Sequence, residues 1–506
     1  MSDSEQQAGA APVATTVEDA APIRSWAIGK VSLDDLSMDD ARKEQFRELI
    51  GGLAEIAKTL GTPKTVSENL RETIANLRAE IDKRLSTHVN AIVHAPAFQK
   101  LESTWRGLKY LVDNSPDRDD VKIKVLDVSK DEIARSFKTA KGDRIVANPL
   151  YKQFYSLAID RYGEAPYACI VADYQFDQSG RDIDILRGLA SIGAATMAPV
   201  LSSASPKIIS EDTNSWASAA NLVEYSSLMS DDEHAEWKDL RESEDARYLS
   251  LTLPRVLARR PYGKKGDEVK TFAFEEEIKG TGPENFVWSN AAYALAGRIL
   301  QSFASSGWGA NIVGPRAGGT VSGLPTYMYE DVARGVKTPV CPAEAPLTDT
   351  QGRQLCLEGL VPLIYKASSA EACFFEAPTV QKPKKYASEK LTKDAQIAAD
   401  LPSVLSIARF AQAVKKMGIF YCGKSTTAKK LTTDLTNYLA QFKNLEPDGN
   451  DEQAKAEKPL ADFEVICEQD PHNEGYFDVK VRLQLLTKVK GLNTHMYFSS
   501  KLAKKA

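Results

Sequence analysis

The sequence predicts a layered, mixed α/β protein with a long helical segment near its start and a β-hairpin arm near its end. Three observations carry this. Val66, Leu70, Ile74, Leu77, Ile81, Leu85, Val89 and Ile92 recur at spacings of three and four, one apolar stripe on a long helix. Between 121 and 202, short apolar runs alternate with helical patterns, the order expected of stacked strand and helix layers. Residues 476–485 alternate with period two and place Phe477, Val479, Val481, Leu483 and Leu485 on one face.

In chain order, residues 1–24 are rich in Ala, Ser, Thr and acids and nearly devoid of bulky apolar side chains, so disorder is expected. A weaker helical pattern covers 37–60 and ends at Gly61-Thr62-Pro63. The long helix over 66–92 would run roughly 40 Å at 1.5 Å per residue. Pro96 interrupts it. A second helix carries Phe98, Leu101, Trp105, Leu108 and Val112, and the two read as a helical hairpin. Strands are expected at 121–128, 167–172 and 199–202, with helices at 147–162 and 182–197 between them. Residues 255–285 read as loop and 286–303 as helix. The stretch 307–325 holds six glycines and two prolines and should turn repeatedly.

The polar, lysine-rich and proline-marked segment 376–394 is a domain boundary by composition. It divides the chain into an arm (1–60), an N-terminal domain (61–375) and a C-terminal domain (376–506). In the last of these, 401–417 and 426–442 read as helices, 445–458 as a charged loop and 463–467 as a strand. A hairpin then joins 476–485 to 492–498 through Gly491.

Composition narrows the function. The 506 residues carry a net charge of −5, which gives no basic background for nucleic acid. No run of 18 apolar residues suggests a membrane span, and the N-terminus lacks the basic and apolar regions of a secretory signal. The six cysteines form no C-x-x-C pair and read as reduced, cytoplasmic thiols. The five histidines have no ligand spacing, so no metal and no cofactor is expected.

Three motifs invite chemistry. GIFYCGKS at 418–425 spells a phosphate-binding loop, but the residues before it (Val404, Leu405, Ile407, Phe410, Ala411, Val414) repeat as a helix, not a buried strand. Its four variable positions are also bulky. Gly418 and Gly423 therefore read as helix connectors, with Lys424 solvated and Ser425 as a helix cap. Asp173, Asp177, Asp182 and Asp184 cluster at the end of a predicted strand and read as turn and cap acids. Arg255, Arg259 and Arg260, with Lys264 and Lys265, form a basic cluster after the mixed-charge run RESED at 241–245. In an acidic protein these charges read as pairing within or between subunits, including a tube-facing or inter-subunit contact.

Four stretches carry a resemblance. NAIVHAPAFQKLESTWRGLKYLVDNS (90–115), PYACIVADYQFDQS (166–179), WKDLRESEDARYLSLTLPRVLARRPYG (237–263), and FAFEEE (272–277) followed by WSNAAYALAGRI (288–299) resemble, in order, the large sheath subunit of bacterial type VI secretion systems, the TssC/VipB family. The resemblance covers roughly 60–500. The family's penultimate strand usually carries an Arg-Pro-His step, where this chain reads VRLQLLTKVKGL. The resemblance implies a phage-tail-sheath-like fold and a structural protein rather than an enzyme. It implies a small sheath subunit of the TssB/VipA type and neighbouring large subunits as partners. It further implies helical assembly around an Hcp-type inner tube on a baseplate, contraction that drives tube and spike outward, and recycling by a ClpV-type ATPase. On this reading Phe477, Val479, Val481, Leu483, Leu485, Arg255, Arg259 and Arg260 are the expected interaction residues, the chain is cytoplasmic, and alone it is poorly soluble. The sheath of another phage-like contractile particle and a P-loop nucleotide-binding protein are the alternatives.

Overall fold

The computed structural model describes residues 70–503, except 141, 162, 224–233, 310, 332–334, 368, 422–426, 447–456, 470–475 and 490–491, together with 39–45, 48, 51 and 52. The disorder expected for 1–24 and much of the helix expected over 37–60 lie outside the described residues. The described residues between 40 and 52 are helical. Two compact units result: Met1–Ala95 with Tyr262–Glu277, and Pro96–Pro261 with Ile278–Ala506.

In the first unit, helix α1 (Leu70–Val93) follows the apolar stripe. Near its end the Asn90 carboxamide accepts from the Glu277 N–H (3.0 Å) and donates to the Glu275 carbonyl (3.5 Å). Glu276 accepts from the Tyr262 N–H at 2.8 Å and lies 3.6 Å from His94 Nε2. The Tyr262, Phe272 and Phe274 rings pack at centroid distances of 6.1 and 5.6 Å. The FAFEEE block is thereby tied to the helix by its backbone and to itself by its rings.

The second unit is built on a parallel sheet. Its strands are β1 (Ile170–Phe176), β2 (Val200–Ala204), β3 (Leu249–Leu253) and β4 (Leu360–Pro362), in that spatial order. Every residue of β2 and β3 is buried, as parallel strands covered on both faces require. The helices of this unit used below are α2 (Pro96–Asp113), α3 (Lys130–Thr139), α4 (Gly180–Thr196), α5 (Ala291–Ser306), α6 (Leu401–Tyr421) and α7 (Ala428–Ala440). Val200 and Ala204 of β2 join α3 and α4 in one core, with Trp216 and Trp237. Leu201, which points the other way, joins α2 and α5 in a second core. The result is three layers.

Local chemistry sets the helix ends. Ser129 and Glu132 form a capping box at the start of α3. Asn290 accepts from the Ala292 N–H at 2.8 Å, so α5 begins at Ala291 and not at 286 as periodicity alone suggests. Residues 288–289 pair instead with 256–257 as short antiparallel strands. Gly307, at φ 75°, ends α5 in the left-handed conformation. The helix expected over 147–162 is one α-turn at Pro149–Tyr151 followed by a π-helical segment, Lys152–Asp160.

The strand expected at 121–128 does not form. These residues belong to no helix or strand, and among the described residues no strand pairs with them and from 122 to 128 no backbone N–H finds a backbone acceptor. The Tyr174 hydroxyl donates to the Val128 carbonyl and holds one end near β1. Ile123, Val125 and Leu126 are exposed, so the half-buried surface that stabilises an edge strand is missing.

Downstream, α6 and α7 pack with an antiparallel sheet: β5 (Leu460–Gln469), β6 (Tyr476–Val489) and β7 (Leu492–Ala503), with β6 in the centre. The expected hairpin is β6–β7, and the expected strand at 463–467 extends it to three strands. Trp308 stacks on Phe410 at 4.7 Å, and both meet Phe442 edge-on at 5.4 and 5.6 Å. Gln412 of α6 donates to the carbonyls of Tyr167, Thr196 and Met197, fixing α6 to the ends of β1 and α4.

Gly107 sits where α2 meets α5, and a Cβ there would lie 2.4 Å from the Tyr293 ring. Gly107→Val is expected to destabilise the chain by about 1–3 kcal/mol through overpacking. Thermal melting of the soluble sheath complex checks it, and an unchanged midpoint would contradict the packing.

Candidate assembly interface

The expected interaction residues fall into two groups. Phe477, Val479, Val481, Leu483 and Leu485 are all buried. They lie on one face of β6 and pack against Phe410, Val414, Leu431, Leu435 and Leu439 of α6 and α7. In this chain the row is the core of the C-terminal sheet. The other face of β5 and β6 carries charged pairs, with Ile466 exposed among them. Arg482 of β6 lies 3.6 Å from Glu464 and 4.0 Å from Asp462 on β5, and Lys480 lies 3.7 Å from Glu468. Asp462 is also bound by Lys443 at 2.9 Å, and this pair holds its carboxyl below the usual range despite some burial. Beyond Leu460, whose outer edge is bridged by residues 442–444, the outer edges of β5 and β7 have no strand partner among the described residues. Strand edges, not the apolar row, are the part of this sheet that another chain can reach.

Within the second group, Arg255 forms two 2.8 Å bonds with Glu344, a bidentate pair. Arg259 is buried and its Nε lies 2.7 Å from Glu102 of α2, which also accepts from Arg106 at 2.8 Å. Burial pushes the Glu102 carboxyl up, but the two guanidiniums outweigh it and hold it below the ordinary carboxylate value. Arg260 is exposed. Of the pairing within or between subunits that the charges suggest, Arg255 and Arg259 show the first kind. The mixed-charge run behaves alike: Arg241 is buried, bonded to Glu358 at 2.6 Å and to the Leu357 and Val380 carbonyls. Burial is the chief cause that lowers its pKa, with Glu358 opposing. These charges clamp chain segments far apart in sequence onto the parallel sheet.

Of the four acids expected in turns and caps, Asp173 lies within β1 and accepts from the Asn290 amide at 3.3 Å, Asp184 lies on α4 3.6 Å from Arg187, and Asp177 and Asp182 form the turn into α4. Asp182 is buried, 2.6 Å from Lys130 and bonded to the Asp177 N–H at 3.0 Å. Asp177 accepts from the Ser179 N–H. Burial raises the Asp182 pKa and Lys130 offsets part of that. The phosphate-loop reading meets its obstacle here too: residues 418–421 are the last turn of α6, so a helix stands where the motif needs a strand leading into a glycine turn. Lys424 and Ser425 lie outside the described residues. Thr427 caps α7, accepting from the Lys430 N–H.

Because β6 is the central strand, its backbone groups are engaged on both sides, with Val481 opposite Val465 and Phe498. Val481→Pro is expected to cost about 2–3 kcal/mol, from the lost ladder bond and the ring's clash. Limited proteolysis should show the region after 400 cut first. Wild-type resistance there would contradict the central placement of β6.

Comparison with known proteins shows the family. The EvpB/VC_A0108 tail sheath N-terminal domain matches residues 75–381, and the EvpB/VC_A0108 tail sheath gpW/gp25-like domain matches 390–502. The chain is similar to the type VI secretion system sheath protein TssC1 of Pseudomonas aeruginosa, at 36% identity over 460 residues covering 91% of each chain. Among solved structures it is similar to a sheath tail protein of Desulfitobacterium hafniense, at 10% identity and a TM-score of 0.29, over 63% of this chain and 60% of that one. With one family match spanning most of the chain and a relative so similar over nine-tenths of it, the chain belongs to the TssC/VipB family of type VI secretion sheath proteins, which are structural and not enzymatic.

Proposed function

We propose that this sheath protein pairs with a small sheath subunit of the TssB/VipA type and polymerises helically with copies of itself around an Hcp-type inner tube. Its fold is phage-tail-sheath-like. Assembly begins on a baseplate in the cytoplasm, contraction drives the tube and spike outward, and a ClpV-type ATPase recycles the contracted form. The observation that carries this reading is the C-terminal sheet. Its apolar face is consumed by α6 and α7, while the outer edges of β5 and β7 have no strand partner among the described residues. Main-chain pairing at a sheet edge supplies affinity without catalytic groups and suits a continuous lattice. An unpaired edge is also a liability for a free monomer, which accounts for the poor solubility expected of the chain alone.

The segment 376–394 serves as the link between the N-terminal domain (61–375) and the C-terminal domain (376–506). The two family matches, which end at 381 and resume at 390, support that division. The test is co-expression with the small sheath subunit and negative-stain electron microscopy. Hollow, helically ridged tubes are expected, and discrete soluble particles without tubes would overturn the proposal.

A further inference from the structure

Residues 121–128, VKIKVLDV, have the pattern of a strand without its partner. The segment is anchored at both ends, by the turn that bonds the Val121 N–H to the Arg118 carbonyl and by the capping box at Ser129. Between them no backbone amide finds a backbone acceptor among the described residues, and Val125 is 69% exposed and Leu126 44%. Lys122, Lys124, Leu126 and Val128 share one face by alternation. Lys124 is exposed, 3.4 Å from Glu164 and with its ammonium 5.6 Å from the centre of the Tyr167 ring.

A second open edge lies in the same unit. Strands Tyr327–Asp331 and Val336–Val340 form a hairpin, and Tyr327–Asp331 pairs with no strand but its hairpin mate among the described residues. Tyr327 and Tyr329 pack inward on the cluster of Leu257, Phe286 and Trp288, whereas Met328 is 50% exposed. Met328 and Glu330 share the face opposite the two tyrosines.

We propose that these two edges join between copies: the Tyr327–Asp331 strand of one chain pairs antiparallel with residues 121–128 of the next. The register that sets Glu330 opposite Lys124 also sets Met328 opposite Leu126 and Tyr329 opposite Val125. Each is a favourable cross-strand pair, one ionic, one apolar and one aromatic on β-branched. Lys337 already lies opposite Glu330 within the hairpin, so the contact would complete a Lys–Glu–Lys row across three strands. Two different patches meet head to tail, so the contact propagates instead of closing into a dimer, as a helical lattice requires. The inference rests on the sheath reading and adds to it a contact separate from the C-terminal sheet.

The test uses Leu126→Cys and Met328→Cys in the full chain, assembled with its sheath partner. Directly opposed residues on paired strands stand about 4.5–5.5 Å apart at Cα, within disulfide reach. Oxidised tubes of the double variant should give a covalent ladder in steps of one 55.5 kDa chain, absent from either single variant. Lys124→Glu and Glu330→Lys should each lower tube yield about five- to tenfold, and together restore it. Tubes without a ladder overturn the inference and leave the sheath reading standing. A disulfide from Leu126→Cys to the smaller partner alone also overturns it and assigns the edge to that partner. Failure of the wild-type chain to form tubes overturns the sheath reading, and the inference with it.

Discussion

Arg259→Ala is expected to destabilise the folded chain by about 3–5 kcal/mol, because it leaves the buried Glu102 without one of its two guanidinium partners. The pair joins α2 to the strand-and-loop segment after β3, so the damage spreads to the packing of α2 on α5. Arg260→Ala, one residue on and exposed, should cost at most about 1 kcal/mol, the scale of an exposed polar contact. Thermal unfolding of the soluble sheath complex separates the two. Equal effects would show that the basic cluster does not act through the Arg259–Glu102 pair. The pair also fixes a direction with pH. The folded Glu102 pKa is depressed, so its contribution is present above the ordinary value of 4.5 and is lost as pH falls through the folded value. Arg259→Ala should therefore flatten part of the acid limb of the stability curve.

Phe410→Ala carries the second large effect, about 3–5 kcal/mol, because it empties the centre of the Trp308–Phe410–Phe442 cluster. Phe410 is fully buried, and Trp308 comes from the turn after α5 while Phe410 and Phe442 come from the C-terminal region. The substitution should loosen the C-terminal sheet and leave the parallel sheet folded. Hydrogen exchange should quicken in α6, α7 and β6 and stay slow in β2 and β3. Uniform quickening would mean that the two sheets unfold as one.

Much of this fold is legible in the sequence because its period is strong. The stripe from Leu70 to Ile92 leaves one helix, though Leu85 and Ile92 stay exposed on it, and the alternation from Phe477 to Leu485 leaves one strand that buries its apolar side chains. The late start of α5 is legible only in hindsight, through Asn290 as a cap, since the apolar pattern begins at 286. Residues 121–128 alternate well and still make no strand, because alternation reports what a segment can pair with, not whether a partner lies within the same chain. The interaction residues were harder for a related reason. An apolar row looks the same in sequence whether its cover is its own helices or another subunit, and here α6 and α7 cover it. Arg255 and Arg259 read as a basic patch because Glu344 and Glu102 are distant in sequence and adjacent only in the fold.

On the proposed reading, this chain enters the sheath through open strand edges while the apolar row of its C-terminal sheet stays in its own core. Hydrogen exchange with mass spectrometry, comparing assembled tubes with the dissociated complex, tests it most directly. The account predicts slowed exchange on assembly in β5, in β7, in 121–128 and in Tyr327–Asp331, with α4, α5, β2 and β3 unchanged. Slowing confined to helix surfaces, with every strand edge exchanging as fast in the tube as in the free complex, would contradict it.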